Sequence, residues 1–500
     1  MRPESDTPRP KLCVQALDRA CERCARNAQT QITESKAQQL IVGQGLPGIS
    51  QPAAPPGPRP GPIVKYVKRL PHRIGHDSVV RETLLPLREI LPSIGASYAI
   101  GSAKGNPVAA LLIPQETLAN CPKVTLQTVT DVRGIQSLEA DYARLCRVTG
   151  NRLPFSLHAW HLTWCRHFLN YDPRIEEEPL FYIMRDAQND CVAILPFIVS
   201  RRRVGPLKVV SVASLGADPA ITEIRVPLIQ EGYGHLTARA VRDALEHVAD
   251  WDWIHWCGLN GEFAETLSAT KKMYWQPPLS DFVLDLPPSW EEFRSGLKHN
   301  IRESLRHCYN SLARRGHSFE LQVIDSPRDL EPALSRFLRL HRMRAAFTGG
   351  AAHPDRFASP VSEKFLYAVC DRLAQRGALK LFALKIGAEV VAMRIGFEVG
   401  DALYLYYSGF DPKWWKFGVM TTTMAEAIKY AIGRGLRIVN LSPVRDLAKT
   451  RWGPRQVDYG SAYETRDRLR SRLANSAYLR IKSNDGSKLL HRFIASRSWN

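Results

Sequence analysis

The stretch LFALKIGAEVVAMRIGFEVG, residues 381–400, places two apolar runs on either side of a bend at Ile386-Gly387-Ala388. Apolar runs of strand length joined by a glycine turn predict a β-hairpin. LFYIMRDAQNDCVAILPFIV, residues 180–199, repeats the design around a polar turn. The copies lie much farther apart than the roughly 20–50 residues of a solenoid period, so a duplicated domain is expected.

The segments after the two hairpins strengthen that expectation. After the first, HLTARAVRDALEHVAD (235–250) reads as an amphipathic helix and WDWIHWCGL (251–259) as a strand. After the second, VMTTTMAEAIKYAIGRG (419–435) carries Met420, Met424, Ala427 or Ile428, and Ala431 on one helical stripe, and LRIVNLS (436–442) is the next strand. The order hairpin, helix, strand predicts an α/β fold, an α+β mixed sheet with helices packed on it. Two similar domains, 122–280 and 281–475, account for most of the 500 residues. QPAAPPGPRPGPIV (51–64) is a proline-rich linker inside a leader, 1–120, expected to be poorly ordered, and 476–500 is a basic tail.

The second half opens with a capping box, Ser289-Trp290-Glu291-Glu292, and one long helix is expected through Phe293, Leu297, Ile301 and Leu305. Its polar side carries Lys298, Arg302 and Arg306 at four-residue spacing. Glu303 is the only acid between 294 and 317, and cations with no acid four residues on repel one another, so the face is either solvated or a seat for phosphate or carboxylate groups. Farther on, the strand from Ala402 to Tyr407 ends at Gly409, and Gly418 marks the start of the next helix. That glycine either relieves a tight loop or lets an anion approach the open helix end. Beyond the next strand, NLSPVRDLAKTRWGP (440–454) gathers Arg445, Asp446, Lys449 and Arg451, as salt bridges or as a ligand loop at a strand end.

Lys+Arg 68 against Asp+Glu 49 gives a formal net charge of +19, which favours anionic partners without naming one. With no secretory h-region and no apolar run long enough to span a bilayer, the reading is a cytoplasmic chain with no transmembrane segment. The ten cysteines are dispersed, and Cys21-x-x-Cys24 lacks the second pair of a zinc ribbon, so no metal is expected. His158, His161 and His167 sit among Trp160, Leu162 and Trp164 and read as histidines satisfied by a core. Walker A, H-E-x-x-H, G-x-S-x-G and dinucleotide glycine motifs do not occur.

The run SGLKHNIRESLRH (295–307), HRMRAAF (341–347), the 381–400 hairpin with SGFDP (408–412), and the glycine-started helix resembles the CelD-like branch of the GNAT acyltransferase superfamily. The resemblance covers about 124–470 and is strongest over 295–455. It implies tandem GNAT domains related to Fem-type transferases, and an N-acyltransferase moving an acyl group from acetyl-CoA or another acyl-CoA to an anionic amine acceptor. Exopolysaccharide, cellulose or cell-envelope synthesis is the implied setting. Lys416, Phe417, Gly418, Val419 and Met420 would cradle the CoA pyrophosphate, although Met420 stands where the family motif has a small residue. Asp446 would act as base or amine orienter, Lys449 and Arg451 as electrostatic stabilisers, and Lys298, Arg302 and Arg306 would hold the acceptor. An aminoacyl-tRNA donor and a degenerate scaffold are the alternatives.

Overall fold

The computed structural model describes residues 99–103, 106–110 and 123–483, apart from 205–206, 217–220, 249, 350–352 and 444–445. Cys21, Cys24, the linker at 51–64, Arg445, most of the leader and the end of the basic tail lie outside the described residues. The chain divides into two compact units, 1–110 and 111–500. The described part of the first is an antiparallel pair, β1 (Ala99–Ala103) and β2 (Asn106–Ala110).

The second unit is one mixed sheet of thirteen strands with helices on both faces. In chain order these are β3 (Thr125–Val129), β4 (Ile175–Arg185), β5 (Cys191–Val204), β6 (Leu207–Ser214), β7 (Leu228–Ile229), β8 (Trp253–Leu259) and β9 (Tyr274–Asp285). Then come β10 (Phe319–Ile324), β11 (Leu379–Ile386), β12 (Glu389–Val399), β13 (Ala402–Phe410), β14 (Ile438–Asn440) and β15 (Arg455–Thr465). Both expected hairpins are present, β4 with β5 and β11 with β12, the latter turning at Gly387 with φ +60°.

Each half repeats one plan. Antiparallel β3–β6 are followed by the helix Gly234–His247, which crosses over so that β8 pairs parallel to β6. Antiparallel β10–β13 are followed by the helix Val419–Gly433, and β14 pairs parallel to β13. A parallel pair needs such a crossover, and the buried stripes of the two helices supply its packing. Val241 and Leu245 share one core with Trp256 in the first half, as Met424 and Ile428 do with Leu403 and Leu405 in the second.

The halves then exchange their last strands. β9, from the first half, pairs with β14, while β15, from the second, pairs with β8, and β9 and β15 pair with each other at the centre. The line between 280 and 281 therefore falls inside β9. On the opposite sheet face a single core joins Phe155 and Trp160 of the first half to Phe365, Tyr404 and Tyr406 of the second.

The long helix expected from Ser289 is two helices, Trp290–Gly296 and His299–Ala313. Ser289 does cap the first, accepting from the Glu292 amide at 3.2 Å. Leu297 and Lys298 are extended, with ψ 146° and 148°. Gly296 is a poor residue to carry a helix onward, and the break lets Leu297 bury its side chain beside Phe282 and Leu284. No helix among the described residues is long and apolar enough to cross a membrane.

Candidate functional site

The parallel pair β13–β14 lasts three residues, ending with Tyr404 opposite Asn440. β13 then runs on to Phe410 while the chain after Asn440 turns away, which opens a notch in the sheet. Two groups of residues border it.

On one side is the start of the helix Val419–Gly433. Its N-cap, Gly418, lies at φ +65°, and no side chain caps the helix end. The amides of Val419 and Met420 thus belong to the first turn, whose N–H groups have no partner within the helix. Arg451 lies against this turn, donating from Nη2 to the Thr421 hydroxyl at 2.6 Å, while its Nε is buried without a hydrogen-bond partner. Lys416 is exposed, and Phe417 and Met420 pack beside the buried Val419. A Cβ on residue 418 would collide with the Cys308 thiol, so the positive φ and the contact with Cys308 both require glycine here.

On the other side is a cluster of charges enclosed in the protein. Asn440 donates to Asp281 at 2.5 Å and accepts from the Ser442 amide at 2.8 Å, and Ser442 stands at φ +67°, a costly value for a residue with a side chain. Lys449 reaches back into this turn, its Nζ 3.0 Å from the Ser442 hydroxyl and 2.5 Å from the Pro443 carbonyl. Burial holds the Lys449 pKa below its usual value, against the opposing pull of Glu223 and Asp446. Asp446 caps the short helix Leu447–Thr450, accepting from the Lys449 amide at 2.8 Å.

Glu223 comes from the first half, in the segment between β6 and β7, and accepts from the Tyr404 hydroxyl at 2.7 Å. Enclosure of its carboxyl pushes the pKa up to about 7, partly offset by that hydrogen bond and by Lys449. Asp281, fully buried, is pushed up to about 6 for the same reason. Carboxyls tuned toward neutrality beside a depressed lysine are what proton transfer at neutral pH requires.

Arg344 and Arg394 close the cluster. Burial lowers both to about 10, and Asp446 acts on each as a counter-charge. Arg344 donates to the Ser408 hydroxyl at 2.5 Å and to His353 Nε2, whose pKa is pushed down to about 4 mainly by burial.

The sheet therefore brings together Gly418, Val419, Met420, Asp446, Lys449 and Arg451. Lys298, Arg302 and Arg306 are exposed, but Lys298 stands in the extended N-cap and only the two arginines lie on the outer face of the helix, whose inner face buries Ile301, Leu305 and Cys308; Arg306 pairs with Glu303 at 3.1 Å. Sequence reasoning missed Glu223, Asp281, Arg344, His353 and Arg394. Arg394 did leave a trace, since a lone charge inside VVAMRIGF has no exposed strand face to occupy. Two of the three histidines expected in a core are there, His158 meeting the Ile135 carbonyl at 2.9 Å and His161 the Tyr142 hydroxyl at 2.8 Å, whereas His167 is half-buried at the edge with its ring against Phe365. No group of His, Cys, Asp and Glu among the described residues is arranged to hold a metal ion.

The first half has an equivalent notch. β6 and β8 separate after Ala213 and His255, and a cavity lined by Leu215, Arg225, Pro227, Trp256, Cys257 and Phe263 lies where they part.

Residues 299–456 match the acetyltransferase (GNAT) domain family. No functionally curated protein sequence matches the chain. The backbone is similar to those of many solved structures, among them the following three. FemX is 10% identical, with 65% of this chain and 95% of that one covered and a TM-score of 0.44. The C-terminal domain of a putative lysylphosphatidylglycerol synthetase from Agrobacterium fabrum is 9% identical, with 69% and 96% covered and a TM-score of 0.41. A tandem GNAT protein from the clavulanic acid biosynthesis pathway is 11% identical, with 68% and 98% covered and a TM-score of 0.35.

Proposed function

We propose that the chain is an N-acyltransferase that carries an acyl group from acyl-CoA, acetyl-CoA among the candidates, to an amine held in the β13–β14 notch. One observation carries this reading: an uncapped helix start braced by Arg451 and a set of proton-transferring groups border the same opening in the sheet. The Val419 and Met420 amides and the Arg451 guanidinium are the donors for the CoA pyrophosphate. The thioester then lies along the edge of β13.

Amide formation needs no covalent enzyme intermediate. The amine nitrogen attacks the thioester carbonyl, the C–N bond forms as the C–S bond breaks, and the proton that the nitrogen sheds on becoming an amide is taken up, through water, by the departing thiolate. The amine must first lose a proton, and Glu223 is the group suited to receive it. Asp446, with one oxygen committed to the helix cap, orients the amine, and Lys449 stabilises the oxyanion. The exposed Lys298, Arg302 and Arg306 face draws anionic ligands toward the second half at long range. An acceptor from exopolysaccharide or cell-envelope synthesis accords with the CelD-like resemblance.

Calorimetric titration of the full chain with acetyl-CoA tests the reading, with aminoacyl-tRNA as a parallel arm. Saturable CoA binding is expected, weakened about tenfold or more by Arg451→Met, as for loss of a charge-assisted hydrogen bond. A response to aminoacyl-tRNA without CoA binding, or to neither, would remove acyl-CoA transfer.

A further inference from the structure

The pair Arg344 and Arg394 is more charge than the transfer step uses. Arg394 lies on β12 between the core residues Met393 and Ile395 and is 8% exposed. Its Nη1 reaches only the Tyr406 carbonyl, at 3.5 Å, and its Nε is buried without a hydrogen-bond partner. Arg344 comes from the last turn of the helix Leu330–Ala346 and donates to the hydroxyl of Ser408, the residue that stands opposite Arg394 in the β12–β13 pair. Among the described residues, no carboxylate lies within ion-pair distance of either guanidinium. A buried cation left without a counter-ion costs several kcal/mol, and a second cation nearby adds to it.

An anion between them would remove that cost, and the surroundings restrict its kind. The planar donor fork of each guanidinium matches a carboxylate. Asp446 and Glu223, close enough to act on Arg394, would repel the second charge of a phosphate. The same two carboxyls suit an ammonium group, placing positive charge a few bonds away from the negative one. We propose that Arg344 and Arg394 form a carboxylate subsite, so that the acyl acceptor is an amino acid or a larger molecule that presents an amine beside a carboxylate. This rests on the notch being the acyl-transfer site, but the subsite can be tested without a donor.

The experiment has two arms on the full-length protein. In the first, calorimetry without CoA compares a panel of amino acids with the corresponding amines that lack the carboxylate. Binding of at least one amino acid, with its decarboxylated counterpart at least tenfold weaker, is expected. Arg394→Met and Arg344→Met should each abolish that preference while leaving the affinity for acetyl-CoA unchanged. In the second, the ligand-free variants are melted. Removing an unpaired buried charge should raise the Tm of Arg394→Met, whereas an arginine that holds the fold together would lower it.

A wild type that binds both amine series equally would overturn the proposal, as would variants that keep the preference or an Arg394→Met protein that melts lower or does not fold. Amino-acid binding without CoA binding would keep the subsite and remove the acyl-CoA reading. CoA binding without amino-acid binding would do the reverse.

Discussion

Glu223 is the residue whose behaviour separates a working site from an inert one. In the folded chain its carboxyl keeps a proton to about pH 7, whereas an exposed glutamate gives it up near 4.5. If it accepts the amine proton, the rate should rise as pH climbs through 7, and Glu223→Gln should lose that limb along with roughly 10²–10⁴ of the rate. Stability moves the other way. Between 4.5 and about 7 the folded state binds the extra proton, so the residue's contribution is fully present below that window and declines as pH rises through it. Glutamine can still accept from Tyr404, so Glu223→Gln should melt with the wild type at pH 4 and above it at pH 8, read by calorimetric scans at both. A Tm difference that ignores pH would show that this carboxyl is not held protonated. Sequence offered no hint of Glu223, because its partner Tyr404 lies in the other half of the chain and only tertiary packing brings them together.

Helices and strands were more legible, and the two glycines of the second half show where legibility ended. The hairpins and crossover helices announce themselves through short-range period, since each buries a face regardless of its distant neighbours. Gly409 and Gly418 were visible as breaks, but their causes lie on other elements. Gly409 lets the helix Leu330–Ala346 ride directly on β13, because a Cβ there would strike the backbone of Leu340 and His341. Gly409→Ala should therefore push the helix that carries Arg344 off the sheet and cost about 1–3 kcal/mol or more, measured by urea denaturation. At Gly418 the obstacle is a side chain, the Cys308 thiol, in addition to a left-handed backbone that costs an alanine about 1–2 kcal/mol. Gly418→Ala in a Cys308→Ala background should thus be less harmful than in the wild type. Equal penalties in both backgrounds would mean that the thiol does not define the glycine. The helix break at Leu297-Lys298 is a related case, in which a continuous apolar period hid a break that core packing beside β9 imposes.

At the scale of the molecule, the exchange of β9 and β15 makes each half incomplete without the other. Sequence made the duplication visible but not the exchange, because a strand's pattern records which faces it buries and not whose edge it joins. The contacts at the centre show the dependence. Glu464 on β15 is 4% exposed and holds Arg242 at 2.7 Å and the Trp256 indole at 3.1 Å, both first-half residues. Glu464→Ala would leave Arg242 buried and unpaired at a cost of about 3–5 kcal/mol, although the substitution lies far from the β13–β14 notch. Residues 122–280 expressed alone would expose the edge of β8 that β15 covers, and 281–475 alone would lack most of β9. Exposed strand edges of this kind aggregate. The fragments should be insoluble or loosely structured separately and should recover a cooperative melt when refolded together, while the intact unit from residue 111 onward should unfold in a single transition. Since Glu223, the proposed base, comes from the first half, the proposed acyl transfer should return only with that reassociation. Fragments that each melted cooperatively on their own would show two independent domains, and the shared sheet would then be a consequence of their association rather than a condition for it.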